Sequence, residues 1–207
     1  MSGHAMALFR DLTRTIAEIE GLSEMTVTGV GQYLRDAGMI SKHGRGRAAA
    51  QMTCEDAVNL LIGVNATGLA KEATEVVPTY LTLTDRADIH PIEEDCADED
   101  ELTRAMFNPE SSGQCLVGLM KCFVPKENGK SLMDGNGMSV FLSFQRPEPY
   151  ISLWIGSESN DPEELDEPYL VLGFGSKDES LARAGDRRDK TTITEKTLAA
   201  VGRLLTR

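Results

Sequence analysis

The stretch from Leu22 to Val64 constrains the fold most, because two helical segments there flank a basic, glycine-containing loop. Val27, Val30 and Leu34 recur at helical spacing, so we expect them on the buried face of the first helix. Gly38 follows that run, and glycine readily takes the left-handed backbone that ends a helix. The order predicts a helix, a sharp stop and an exposed loop.

The loop that follows carries a cluster of basic side chains separated by glycines. These side chains are Lys42, His43, Arg45 and Arg47. Arginine offers a planar fork of donors that phosphate oxygens accept in pairs, and glycine lets the backbone come close to a phosphate. Thr53 and Asp56 then have the spacing of a capping box, which predicts that the next helix begins there.

Small polar residues lie on the other side of the first helix. Thr26, Thr28 and Gln32 are expected to face outward, opposite the apolar positions, where a helix in a major groove presents its donors and acceptors. Gly29 and Gly31 would allow close backbone approach. The pattern predicts a DNA-binding site, and its residues are Thr26, Thr28, Gln32, Lys42, His43, Arg45 and Arg47.

The segment TVTGVGQYLRDAGMISKHGRGRAAAQMTCEDAVNLL resembles the winged helix-turn-helix of MerR-like regulators. In that family the second helix ends in a Leu-Arg-x-x-Gly-Leu-Ile type of stop, here LRDAGMI, and a basic wing precedes a Thr/Ser-x-Glu-Asp helix start, here TCED. The segment also resembles the N-terminal domain of uncharacterised prophage-type proteins of alphaproteobacteria. The resemblance implies that Thr28 and Gln32 lie on the recognition helix and that Arg45 and Arg47 lie on the wing. No long dimerisation helix with metal-binding cysteines follows, so metal sensing is not implied.

Composition limits the remaining choices. The 207 residues carry a net charge of −12, which argues against wrapping of nucleic acid by the whole chain but permits a local basic site. No apolar run approaches the roughly 20 residues of a membrane helix. The four cysteines lack CxxC spacing and only three histidines accompany them, which predicts reduced thiols, no metal site and a cytoplasmic protein.

The chain divides by composition into three parts. We predict a winged helix-turn-helix domain over 1–84, which includes a helix near 69–81. It begins with a helix over Leu8–Glu20 whose Leu8, Leu12, Ile16 and Ile19 face inward, and Gly21 is expected to end that helix. Residues 85–110 hold ten acids against two bases and predict a solvated linker with a short helix near 100–106. Mimicry of DNA by these carboxylates is a minor alternative. Residues 111–207 form the predicted second domain.

The second half changes from helical spacing to strand spacing. A helix over 114–123 is followed by predicted strands at 139–145, 150–155, 169–174 and 191–194, with Trp154 expected in the core. Glu195–Leu205 has the pattern of an amphipathic closing helix. The fold class is therefore α+β: an N-terminal all-helical winged helix-turn-helix domain followed by a small antiparallel sheet with a closing helix.

No catalytic arrangement stands out. The segment GFGSKDES, which contains Gly173 and Gly175, lacks the third glycine of a phosphate-binding pattern. We expect no enzyme activity and no cofactor. The sequence favours a sequence-specific DNA-binding protein, a transcriptional regulator of phage or mobile-element type. The alternative is a phage DNA-packaging or assembly adaptor acting as an oligomeric interaction module. Expected partners are double-stranded DNA, a second copy of the chain in a dimer, and a protein partner for the C-terminal domain, with no membrane.

Overall fold

The computed structural model describes residues 7–42, 50–84, 86–90, 109–135, 137–157, 170–175 and 188–205. Its helices are α1 (Phe9–Glu20), α2 (Glu24–Asp36), α3 (Cys54–Ala66), α4 (Ala73–Leu81, after a 3-10 turn at Ala70–Glu72), α5 (Ser112–Phe123) and α6 (Glu195–Leu205). Its strands are β1 (Arg86–His90), β2 (Met138–Arg146), β3 (Tyr150–Ser157), β4 (Leu170–Phe174) and β5 (Asp189–Thr194). The predicted α+β class is confirmed.

The five strands form one antiparallel sheet in the order β1-β4-β3-β2-β5. The β2–β3 hairpin pairs Leu142 with Leu153 and Phe144 with Ile151, and all four side chains are buried. Because alternate residues of a strand point to opposite faces, these side chains form one apolar face that packs against the helices. The four strands predicted from the spacing are confirmed.

Trp154 lies on the other face of the sheet, so the prediction that it belongs to the core is wrong. It is half-buried and meets Phe141 edge to face, with ring centroids 5.5 Å apart. The reason is the strand alternation, since Leu153 and Ile155 already point to the helices. The pair stabilises neighbouring strands from outside the core.

Helix α3 is the centre of the molecule. It packs against α2, α4, α5 and α6 and against strands β2 and β5. Nine of its 13 residues are buried, including Val58 and Ile62, whereas Val64 is half-buried. Its buried residues therefore lie on more than one face of the helix, because neighbouring elements cover it on most sides.

Part of the predicted acidic linker is a strand. Residues 86–90 form β1, which pairs with β4 at one edge of the sheet. Backbone hydrogen bonds make this pairing, so an edge position accepts a polar sequence that carries no apolar alternation. Residues 91–108, with the helix predicted near 100–106, lie outside the described residues. The division into two domains stays a prediction.

Ile19 departs from the predicted inner face of α1. Leu12 and Ile16 are fully buried, but Ile19 is 43% exposed and lines a cleft beside β5. Gly21 ends the helix with a φ of 67°, as expected. No helix in the described ranges combines the length and the apolar character that crossing a bilayer requires.

A polar contact joins the end of α1 to the end of α3. The Asn65 side-chain amide donates to both carboxylate oxygens of Glu20, at 3.2 and 3.4 Å, and also to the carbonyl of Leu61. Burial raises the pKa of Glu20 to about 7, while the Asn65 hydrogen bond opposes that rise. At neutral pH this carboxyl is therefore close to half protonated.

The raised pKa predicts that Glu20 destabilises the fold as pH increases. Between pH 4.5 and 7 the unfolded chain ionises before the folded one, so stability falls, and the loss is complete above pH 7. Glu20→Gln removes this ionisation. We expect the variant to gain at most about 3 kcal/mol over the wild type at pH 8 and little at pH 5, measured by urea unfolding. Glu18→Gln, on the exposed side of the same helix, is the control. Equal gains at both pH values would contradict the prediction.

Candidate nucleic-acid interface

Helix α2 buries one side and exposes the other. Val27, Val30 and Leu34 are at most 3% exposed and pack toward α1 and α3, which confirms the expected inner face. Ser23 is the N-cap residue, and Gly38 follows the helix with a φ of 77°. Within the described part of the chain, the opposite side of α2 is exposed and accessible to a ligand.

The predicted base-reading residues occupy different parts of this exposed side. Thr26 and Gln32 are exposed and Thr28 is half-buried. At about 100° per residue, Thr26 and Thr28 lie about 160° apart and flank the exposed face, whereas Gln32 lies near its centre. Two large side chains that the sequence reasoning did not assign to this face also reach solvent, Met25 at 82% and Tyr33 at 48% exposure.

The two glycines of α2 have different surroundings. A Cβ at Gly29 would meet nothing within 4 Å, so the backbone there is open to a ligand. A Cβ at Gly31 would lie 2.7 Å from the Phe9 ring and 3.3 Å from Leu60. The expectation that Gly31 allows close approach of DNA is therefore wrong, because its bare backbone accommodates Phe9 of α1.

Asp36 at the end of α2 contacts two of the predicted site residues. The Gln32 amide donates to the Asp36 carboxylate at 2.9 Å. The Lys42 ammonium donates to the Asp36 backbone carbonyl at 2.9 Å and lies 3.9 Å from its carboxylate. Lys42 thus caps the carbonyl end of the helix, where a cation is favoured. The structure brings Gln32 and Lys42 together through this acid, which the sequence reasoning did not include.

Both ends of the basic loop are held by the first turn of α3. One oxygen of the Asp56 carboxylate accepts from the Ser41 backbone N–H at 2.9 Å, and the other accepts from Thr53 at 3.0 Å. Thr53 in turn accepts from the Asp56 N–H, so the predicted capping box is confirmed. Asn59 donates to the Met39 carbonyl at 2.7 Å. The middle of the loop, with His43, Arg45 and Arg47, lies outside the described residues.

Cys54, the first residue of α3, carries a half-buried thiol. Burial raises the pKa of Cys54 to about 11, with Glu55 adding to the rise and Lys121 opposing it, so the thiol is protonated at neutral pH. Among the described residues, no three His, Cys, Asp or Glu side chains are grouped as metal ligands would be.

Alanine substitutions at Gly29 and Gly31 of α2 form a matched pair. Gly29→Ala adds a methyl group into open space on a helix, so we expect it to stabilise the fold by about 0.5–1 kcal/mol. Gly31→Ala forces Phe9 to move, and we expect a destabilisation of about 1–3 kcal/mol. Urea unfolding of both variants measures the difference. A Gly31→Ala protein as stable as Gly29→Ala would contradict the packing described.

The Asp56 contacts predict a second effect on stability. Asp56→Asn keeps the size but has one acceptor oxygen, so it leaves the N–H of Ser41 or Thr53 without that partner. We expect a loss of about 1–3 kcal/mol in urea unfolding and faster amide exchange at one of these two residues. Asp36→Asn, an exposed change of the same kind, is the control and should cost little. Unchanged exchange at Ser41 and Thr53 would rule out the anchoring role.

Comparisons with known proteins found no relative of this chain. No family model, curated protein or solved structure matches the chain. The likeness to MerR-like regulators therefore remains a resemblance of motifs over roughly residues 8–66.

Proposed function

We propose that this chain is a sequence-specific double-stranded DNA-binding protein, a transcriptional regulator of phage or mobile-element type. In this proposal α1 to α3 and the basic loop act as a winged helix-turn-helix, with α2 as the recognition helix. The proposal rests on one observation, which is that the basic loop is anchored next to the exposed face of α2. Gln32 on that face is in solvent, and the backbone N–H groups of Ser41 and Thr53, at the two ends of the loop, both donate to the Asp56 carboxylate.

The loop supplies the electrostatic part of binding. Lys42, Arg45 and Arg47 would contact phosphates, which fix the position of a protein on the duplex without reading its sequence. Since the chain carries a net charge of −12, attraction to DNA has to be local. Binding is therefore expected to be weak at high salt.

Helix α2 supplies the sequence-reading part. A glutamine amide can pair with two atoms of an adenine in the major groove, and a threonine can donate or accept. Gln32 would have to leave Asp36 to do this, and Asp36 would also repel phosphates that approach too closely. The open backbone at Gly29 lets the groove edge come near the helix axis.

One copy offers few base contacts, so we include a homodimer in the proposal. Two copies related by a two-fold axis would place their α2 helices in successive major grooves about 34 Å apart and read a palindromic site. The C-terminal sheet and helix α6 would supply the dimer contact or bind a protein partner.

The test measures DNA binding by fluorescence anisotropy on the chain's own upstream region and on a scrambled duplex, at several salt concentrations. We expect Arg45→Ala with Arg47→Ala to weaken binding to both duplexes by about 10- to 100-fold and to reduce the salt slope by about 2. Gln32→Ala should reduce the preference between duplexes and leave the salt slope unchanged.

Lys126→Ala with Lys130→Ala is the matched control, because it removes two exposed positive charges from the turn after α5. Its binding should equal that of the wild type. If both double variants lose the same affinity, net charge explains the effect and the loop has no special role. If the wild type binds neither duplex at low salt, the proposed function is wrong.

A further inference from the structure

A cleft of about 450 Å³ separates the ends of α1 and α3 from β5 and the start of α6. A volume of this size is within the range of small-molecule sites. Its polar lining residues include five threonines, which are Thr67, Thr191, Thr192, Thr194 and Thr197. The hydroxyls of Thr67, Thr192 and Thr194 already hydrogen-bond to Gly63, Ser143 and Lys196, so the polar character of the cleft rests mainly on its charged side chains.

Opposite charges line opposite walls of this cleft. The wall made by the helix ends carries the Glu20 carboxyl. The wall made by β5, the end of β2 and the start of α6 carries Arg146 and Lys196. Ile19 and Leu22 add apolar surface on the helical wall, beside the carboxyl group.

These charges do not neutralise one another. Among the described residues, Glu20 makes no ion pair, and Asn65 is its side-chain hydrogen-bond partner. Arg146 is 3.6 Å from Asp189, measured from Nε to the carboxylate, and Asp189 lines a neighbouring cavity. No described acid lies within 4 Å of the Lys196 ammonium. The separated charges leave room for a molecule between them.

We propose that this cleft binds a small zwitterion of the ω-amino acid class, with its ammonium group at Glu20 and its carboxylate at Arg146 and Lys196. The charges of the walls fix this orientation, since the reverse would put like charges together. An α-amino acid carries both charged groups on one carbon atom, whereas Glu20 forms no ion pair with Arg146 or Lys196 across the cleft, which favours a longer spacer. The methylene groups of that spacer would contact Ile19 and Leu22. This inference does not depend on DNA binding.

Isothermal titration and thermal unfolding at pH 8, where the Glu20 carboxyl is mostly ionised, test the proposal with glycine, 4-aminobutyrate and 6-aminohexanoate, and with butylamine and butyrate as probes of single charge. We expect a longer zwitterion to bind and to raise Tm. Glycine and the single-charge probes should bind at least about tenfold more weakly, because each leaves a charged wall without its partner. No binding by any zwitterion, or equal binding by butylamine or butyrate, would overturn the proposal.

Two variants locate the site. Glu20→Gln and Lys196→Met should each weaken binding of the best zwitterion by at least about tenfold. Glu18→Gln and Lys190→Met are the matched controls, since both residues are exposed and neither lines the cleft. Urea unfolding confirms that each variant is folded. Affinity that is unchanged in both site variants would overturn the assignment.

Discussion

The rest of this architecture depends on the hydrogen bonds that the Asp56 carboxylate accepts. It is 4% exposed, yet it accepts hydrogen bonds from backbone on both sides of the basic loop. Burying a carboxylate is costly unless it is paired, and here two N–H groups and the N-terminal end of α3 offset the cost. Because α3 is itself enclosed by helices and sheet, the base of the loop is fixed by the core rather than by the loop's own residues.

Local patterns predicted most of the elements, and long-range contacts explain what was missed. Gly21, Gly38 and the Thr53 capping box act within a few residues, so the sequence was enough to place the ends of α1 and α2 and the start of α3. Trp154 was misplaced because strand spacing does not say which face meets the helices. The second bond of Asp56, to Ser41 fifteen residues away, carries no sequence signal.

The same limits apply to the candidate interface. Helical periodicity placed Gln32 correctly in solvent, because the apolar residues Val27, Val30 and Leu34 define the opposite, buried side of the helix. It could not show that Gly31 accommodates Phe9, because that contact joins two different helices. Nor did it show the cleft, whose walls come from α1, α3, β5 and α6. A molecule in that cleft would contact Leu22, one residue before the N-cap of α2.

The enclosure of α3 has a consequence for synthesis of the chain on the ribosome. Val58, Leu61 and Ile62 line a small apolar cavity between α3 and the elements packed on it, together with Leu116, Leu119, Met120, Leu142, Phe144 and Leu198. The latter residues all emerge from the exit tunnel after α3, and Leu198 of α6 is the last of them. This side of α3 is therefore not fully covered until α6 has emerged, and during that time it is a surface on which chaperones or other nascent chains can bind.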